Sequence, residues 1–552
     1  MIMPTLAVGG IEGLADFLDA LMGGVGLISF SLALGALVWA SLALKPLLAR
    51  GEKDAPYLIA LSLRWLSLGA IWLAASHAVA LLAKAFVLKE TLGYLPLAAY
   101  LGTIQFKAGC VRMILSLSLG LVTKKHLTRP NDPLLWRLVL VLMAGVILSG
   151  AWLTHAVGRL EHREILMFLT LLHQLAGAVW FGGVVQLIVF WRATRRHPGL
   201  SSLWPEALGR FSSLGIAAVS VLALTGIPLA LNYVDDFSAL IGTGYGSLLL
   251  TKIALLAIAL GFAWLNHMSA KRWEQGNKVL SLYQTVPHLI EAESFILVSL
   301  LFVAATLSSQ PPAVDIPQLV ASPSEVWHMF QPKWPQLTSP THAELLLSEA
   351  QRATIVGKQP PVAASQWSNF NHNVSGLFLT AMAAVALLGY LRPYHWPKYW
   401  PAGFIGLAVF LFFRSDAQAW PLGPIGFWES TLGDGEILQH RIATLLAFGL
   451  GTLEVRARTR ETAHKLRYLF PVLCAFGGIL LLTHSHAGFE LKTEYLIQST
   501  HTVMGFLAVV MAAARWLELK LTPPASTWAG ITAIGAMGLI GLILMFYDEP
   551  LY

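Results

Sequence analysis

Charge is scarce in this chain. Only 12% of its 552 residues are Asp, Glu, Lys or Arg, against 56% hydrophobic, whereas soluble domains carry about 25% charged residues. A soluble chain this poor in charge would expose apolar surface and aggregate, so lipid is the expected solvent. Cysteine is nearly absent. Cys110 and Cys474 are the two in the sequence, each inside an apolar run. That excludes a disulfide framework and a Cys-rich metal site, and both are expected to be buried core residues. No Lys or Arg precedes Lys45, so the cationic start of a cleaved signal peptide is missing. The sequence has no G-x-x-x-x-G-K-[ST] loop, no H-E-x-x-H, no G-x-S-x-G and no C-x-x-C. With nothing to cradle a phosphate, nucleotide-driven pumping is not expected, and no enzyme signature is present.

What is present is a series of apolar runs of about 18–25 residues, each long enough to cross a hydrocarbon core about 30 Å thick. The expected fold is all-α, a polytopic transmembrane bundle of about fourteen helices. They are placed at 23–46, 60–83, 99–123, 134–154, 167–190, 211–232, 246–266, 288–308, 373–391, 399–413, 437–454, 468–485, 496–514 and 527–546. The formal charge of +7 does not point to nucleic acid, because the basic residues sit in short loops between the runs. Alternate loops are basic, and seven of them hold 24 of the 37 Lys and Arg residues. The positive-inside rule assigns those loops to the cytoplasm and both termini to the periplasmic side of a bacterial inner membrane. A Pro-rich connection over 309–372 is too polar to insert and falls outside, dividing the chain into eight helices and six. The domains expected are therefore 20–315, the loop 309–372, and a six-helix module over 373–552.

The first eight helices read as two copies of a four-helix unit, about 23–154 and 167–308. Arg64-Trp-Leu-Ser-Leu-Gly69 is similar to Arg210-Phe-Ser-Ser-Leu-Gly215, and Leu101-Gly-Thr103 to Ile241-Gly-Thr243. A basic residue follows each threonine by nine positions, Arg112 in one copy and Lys252 in the other. Transporters often place their sites between such repeats. A charge at mid-bilayer costs about 2.5–3.5 kcal/mol on insertion scales. Arg112 and Lys252 are therefore either pathway residues or cations that snorkel to the interface. Glu291 and Glu293, near the start of the eighth helix, are either a cation exit site or interfacial carboxylates.

Seventeen histidines are present, many on the outward side. Imidazole in apolar surroundings needs a hydrogen bond, a proton or a metal. Two groups form. His77, His155 and His173 come from the outer ends of the second, fourth and fifth helices. His173, Gly177, Trp180 and Val184 share one helical face, and Gly182-Gly183 permits a close backbone approach. The second group is His440, His484, His486 and His501. Met504 lies one turn from His501 and offers copper a soft thioether. Each of these side chains also has an ordinary reading, as a hydrogen-bonded interfacial imidazole or as core packing.

The order of motifs is similar to that of bacterial CopD-type copper resistance membrane proteins. The stretches are His155-Ala, Leu172-His173-Gln-Leu-Ala-Gly-Ala-Val-Trp180-Phe-Gly-Gly183, Arg210-Phe-Ser, Thr225-Gly226, Thr243-Gly-Tyr-Gly246 with Lys252, Glu293, and Leu307-Ser-Ser-Gln-Pro-Pro312. The resemblance covers about 20–315, and the tail is similar to the extension of longer members. It implies an inner-membrane protein that handles periplasmic copper, supplied by a separate soluble CopC-type carrier, with import the usual direction. The family's metal-binding positions fall on His155 and His173. Copper transport without enzymatic turnover is thus the first expectation. The alternative is b-type haem held by paired histidines, His440 with His501. A third makes the C-terminal helices a docking module with incidental histidines.

Overall fold

The computed structural model describes residues 11–275, 281–352, 362–391, 395–483 and 491–549. Fourteen long helices occur among them. The first eight are α1 Glu12–Val38, α2 Ala55–Leu92, α3 Ile104–Thr128, α4 Pro133–Ala151, α5 Arg163–Thr194, α6 Trp204–Tyr233, α7 Gly244–Glu274 and α8 Val286–Leu307. The remaining six are α9 Val362–Leu391, α10 Ala402–Arg414, α11 Gly435–Thr459, α12 Leu469–Leu482, α13 Leu491–Lys520 and α14 Ala525–Met545. Each falls where an apolar run predicts one.

Twelve of them are long and apolar enough to span a membrane, which revises the count of about fourteen. The two that fall short are α10 and α11. At 13 residues, α10 rises about 20 Å at 1.5 Å per residue. The 25 residues of α11 carry Gln439, His440, Arg441 and Glu454 within the apolar run. Leu224, Leu231 and Leu445 are each more than 70% exposed on helix faces, in keeping with helices whose outer faces meet lipid. This is a multi-pass membrane protein.

Two compact units are present. One comprises residues 18–233 and 255–309, the other 234–254 and 310–552 with the first 17 residues. In the first unit Phe30, Leu34, Leu66, Leu73, Leu119, Val139, Met143 and Val146 form a core contributed by α1 to α4. The predicted close approach at Gly182 is real. A methyl group there would strike the Ser31 carbonyl and the Gly35 backbone of α1, and one at Gly183 would strike the Phe211 ring. Overpacking of this kind costs about 1–3 kcal/mol, occasionally more. Gly182→Val should therefore lower the unfolding temperature of the purified protein by several degrees. An unchanged melting curve would show that the two backbones can separate freely.

The two threonines of the proposed repeat do the same local work. Thr103 caps α3 by accepting from Phe106 N–H at 3.1 Å, and the Thr243 hydroxyl accepts from Gly246 N–H at 3.0 Å at the start of α7. Each follows a six-residue helix, Leu97–Gly102 or Phe237–Gly242. An N-cap oxygen satisfies one of the orphan donors of the first turn.

The long connection is more ordered than its prolines suggest. Ser322 forms a capping box with Glu325 on helix Pro323–Phe330, and His342–Arg352 is a second helix. Then α9 begins at Val362, eleven residues before its apolar run. Its early turns carry asparagines that hold the C-terminal end of α14. Asn373 Nδ2 donates to the carbonyls of Leu544 at 3.1 Å and Tyr547 at 2.8 Å, groups that a helix end leaves unsatisfied. Asn369 Nδ2 donates to Asp548 at 2.6 Å.

Candidate functional site

In the first unit the chemistry is organised along α5. The Nδ1 atom of His173 lies 3.0 Å from Thr225 Oγ1 on α6, and that hydroxyl donates its single proton to the Val221 carbonyl at 2.6 Å. The imidazole is therefore the donor to Thr225, and in the neutral ring the lone pair sits on Nε2. Metal-ligating histidines are commonly held this way, one nitrogen tied and the other turned to the metal. Beside it, a methyl on Gly226 would come within 3.0 Å of the imidazole Cε1. The Thr225-Gly226 pair thus supplies both the hydrogen bond and the room for the ring.

Two helical turns along α5, Trp180 Nε1 donates to Glu293 Oε1 at 3.1 Å, and Asn266 Nδ2 of α7 donates to Glu293 Oε2 at 3.1 Å. Glu293 is 1% exposed. Among the described residues both donors to this carboxyl are neutral. A buried carboxylate held only by neutral donors retains a large desolvation cost, which a proton or a visiting cation relieves. Glu291 differs. It faces His288 Nδ1 at 3.0 Å and Arg192 at 3.8 Å, an ion-pair setting beside a mostly exposed arginine. The two glutamates read as one site therefore have separate surroundings, and Glu293 is enclosed by protein.

Arg112 does not snorkel. It is 6% exposed, its guanidinium packs against Gly150 of α4 and lies 5.0 Å from the Phe30 ring. Its counterpart in the other copy, Lys252, is half-buried on α7. His77 is half-buried, its Nε2 is enclosed without a hydrogen-bond partner among the described residues, and its charged surroundings are the cations Arg112 and Lys84. Positive neighbours weaken the case for His77 as a ligand to a metal cation. The backbone of His155 opens a short 3₁₀ turn, His155–Gly158, while its side chain lies outside the described residues.

The second unit contains a cavity of about 540 Å³ whose walls come from α9 to α14. Of the second histidine group, His440, His501 and Met504 line it, joined by His372. His484 and His486 lie outside the described residues. The Nδ1 of each lining imidazole is held by an acceptor. His440 donates to Asp416 Oδ1 at 2.7 Å, His372 to the Ser368 carbonyl at 2.9 Å, and His501 to the Ile497 carbonyl at 3.1 Å. The His372 and His501 rings meet edge to face with centroids 5.5 Å apart, and Tyr547 stacks on His372 at 4.4 Å. Met504 is 1% exposed and packs with Ala508 and Ile540. Of the two cysteines, Cys474 lines the cavity as a buried residue, whereas Cys110 is only half-buried. Among the described residues no three His, Cys, Asp or Glu side chains gather closely enough to hold a metal ion.

Sequence reasoning did not select Asn266, Asp416 or Tyr547, and it left His372 outside the ligand set. Asn266 carried a signal, an amide inside an apolar run. Asp416 and Tyr547 are brought to their histidines only by the fold.

Residues 205–307 match the family model described as CopD, Copper resistance protein D. The chain carries a CopD-type copper resistance segment. No curated protein and no solved structure matches the chain. The CopD segment supplies Thr225, Asn266, Glu291 and Glu293, and lies within the stretch whose motif order is similar to that family. The partners of its buried groups, His173 and Trp180, come from α5, immediately before it.

Proposed function

We propose that this membrane protein moves copper ions from the periplasmic side of the inner membrane towards the cytoplasm, as a carrier rather than an enzyme. Glu293 is the observation that carries the reading, a carboxyl buried in a membrane unit, held by Trp180 and Asn266, with two neutral donors. The charge bias of the loops supports an outward His173 and periplasmic termini. On this reading copper arrives from a soluble CopC-type carrier and is taken by His173 through Nε2, while Thr225 keeps the ring oriented. Glu293 of α8, which meets α5 at Trp180 two turns beyond His173, then supplies the negative charge that makes a cation tolerable inside the bilayer. Trp180 and Asn266 hold that carboxylate in place without neutralising it.

The haem alternative requires His440 and His501 to share an iron, and both do line one cavity. The charged groups lining it among the described residues are Asp416, Asp434, Glu436 and Glu549, all acids. A haem brings two carboxylates of its own, so the electrostatics favour the copper reading. The test is isotopic copper uptake by proteoliposomes of fixed protein orientation. Wild-type protein is expected to load vesicles well above the protein-free control, and His173→Ala to lower the initial rate about tenfold, the equivalent of one lost contact of about 1.4 kcal/mol. Wild-type uptake no faster than in empty vesicles would sink the proposal.

A further inference from the structure

A smaller cavity of about 250 Å³ lies in the second unit, where α9, α11 and α13 end. The loops at that end, with Lys398, Arg456, Arg460 and Lys520, belong to the basic set that the positive-inside rule assigns to the cytoplasm. Aromatic rings mark the same level. Trp400 lines the cavity, and the Tyr468 and Trp516 rings meet at 5.6 Å with the Lys520 amine 4.3 Å from Tyr468. Trp and Tyr of this kind gather at the depth of the lipid headgroups.

The charges around the cavity do not balance. Three cations line it, Lys398, Arg458 and Arg515, and one acid, Glu518. Both oxygens of that acid are engaged, one by the Tyr390 hydroxyl and the other by Arg515 Nη1 at 2.6 Å. Arg515 and Arg458 also share Glu454 behind the wall, each at 2.7 Å. With Glu454 counted, three cations face two carboxylates, and one positive charge is left over. Among the described residues no carboxylate meets the exposed Lys398 amine, and no acceptor meets the two terminal nitrogens of Arg458. Arg515 Nε is buried, also without a hydrogen-bond partner among them.

The rest of the wall is apolar, from Ala386 of α9, Phe470 of α12, Met511 of α13, and Ile534 and Met537 of α14. Surplus positive charge beside an apolar wall suits an anion carried on hydrocarbon. The volume falls below the range of about 300–1,000 Å³ typical of pockets that enclose a whole organic ligand. It holds a headgroup, with the chains left in the lipid. Guanidinium and ammonium groups at this depth recognise a phosphate oxyanion, and basic pockets between transmembrane helices on the cytoplasmic side take phospholipid heads in this way.

We propose that this cavity binds the phosphate of an anionic membrane phospholipid, its oxygens accepting from Arg458 and Lys398 and its acyl chains leaving past the apolar wall of α14. One phosphodiester carries the single negative charge that the cluster lacks. The bound lipid then joins α9, α11 and the Lys398 turn across a seam that the protein's own side chains leave open. This assignment is independent of copper passage in the first unit, and either can fail alone.

The experiment is native mass spectrometry of the full-length protein released from nanodiscs holding phosphatidylglycerol and phosphatidylcholine in equal amounts. One phosphatidylglycerol per chain is expected to stay bound, at least about fivefold over phosphatidylcholine, the effect of about 1 kcal/mol for a basic group near an anionic head. Lys398→Gln, at an exposed position where no packing is lost, should lower that retention about fivefold. Arg458→Gln should lower it at least as much, with helical dichroism unchanged. Lys465→Gln, a charge at the same end that does not line the cavity, should leave it as in wild type. Excess inorganic phosphate should not displace the lipid. The proposal is overturned if the two lipids are retained alike, or if Lys398→Gln keeps phosphatidylglycerol as wild type does. It is equally overturned if Lys465→Gln loses as much, which would make the attraction a diffuse surface charge. Displacement by inorganic phosphate would overturn it in favour of a site for the free anion.

Discussion

Replacing Glu293 by glutamine is expected to slow copper transfer into proteoliposomes about a hundredfold while leaving the fold intact. The magnitude follows from what the carboxylate is asked to offset. A cation near mid-bilayer costs about 2.5–3.5 kcal/mol on insertion scales, and each 1.36 kcal/mol added to a barrier slows a rate about tenfold. Glutamine keeps nearly the same volume, and its carbonyl can still accept from Trp180 Nε1 or Asn266 Nδ2, the two donors now at 3.1 Å. The volume is preserved, while the charge is lost together with one of the two accepted hydrogen bonds, because the glutamine amide nitrogen can only donate. Glu293→Asp restores the charge on a shorter stem and should recover part of the rate. Glutamine and wild-type proteins transporting copper at the same rate would reduce Glu293 to a hydrogen-bonded core residue. A melting temperature for Glu293→Gln equal to or above that of wild type, together with lost transport, is the signature expected of a functional carboxylate. Removing an uncompensated buried charge does not harm stability.

The positions of the helices were legible because lipid leaves the chain little choice. Every backbone group in the hydrocarbon must be satisfied internally, so each span becomes an apolar run long enough to cross. The same rule explains the misses. The first turns of α9 are polar because Asn369 and Asn373 cap the end of α14, and a hydropathy reading takes such residues for loop. In α11 Gln439 and His440 line the cavity, and Arg441 donates to the Trp420 carbonyl and lies over the Phe427 ring, so these residues dilute the apolarity that would mark a span. For the candidate site, the α5 motif named His173 and Trp180 directly. Their partners could not be read, because Thr225 lies 52 residues from His173 and Glu293 lies 113 from Trp180. Thr225 and Glu293 were visible as motif members, yet local spacing does not say which imidazole or indole each meets. Arg112 shows the limit of a cost argument. The penalty for a buried guanidinium pointed to the interface, whereas the ring of Phe30 and the missing side chain of Gly150 make an interior place for it.

In the second unit, Arg515→Leu is expected to be among the most destabilising single replacements. Glu454 is fully buried, and its Oε1 accepts from Arg458 Nε and from Arg515 Nη2, each at 2.7 Å. Arg515 extends the chain to Glu518 at 2.6 Å, and the Tyr390 hydroxyl donates to that same carboxylate. Three helices, α9, α11 and α13, are thereby tied together through this cluster. Removing Arg515 leaves Glu454 with one partner in a site that water does not reach, and breaking a buried pair in this way costs about 3–5 kcal/mol. Thermal unfolding in nanodiscs should show a drop of many degrees. Arg458 is the lesser partner, because about a quarter of its side chain is already exposed and its charge can turn to water when Glu454 is removed. The double replacement Arg515→Leu with Glu454→Leu should therefore unfold at a higher temperature than Arg515→Leu alone. Removing both charges eliminates the stranded carboxylate, and an apolar pair of similar volume is often as stable as the ions it replaces. A double variant less stable than the single one would mean that Glu454 is needed for Arg458 and not for Arg515, and the order of importance in the cluster would be reversed.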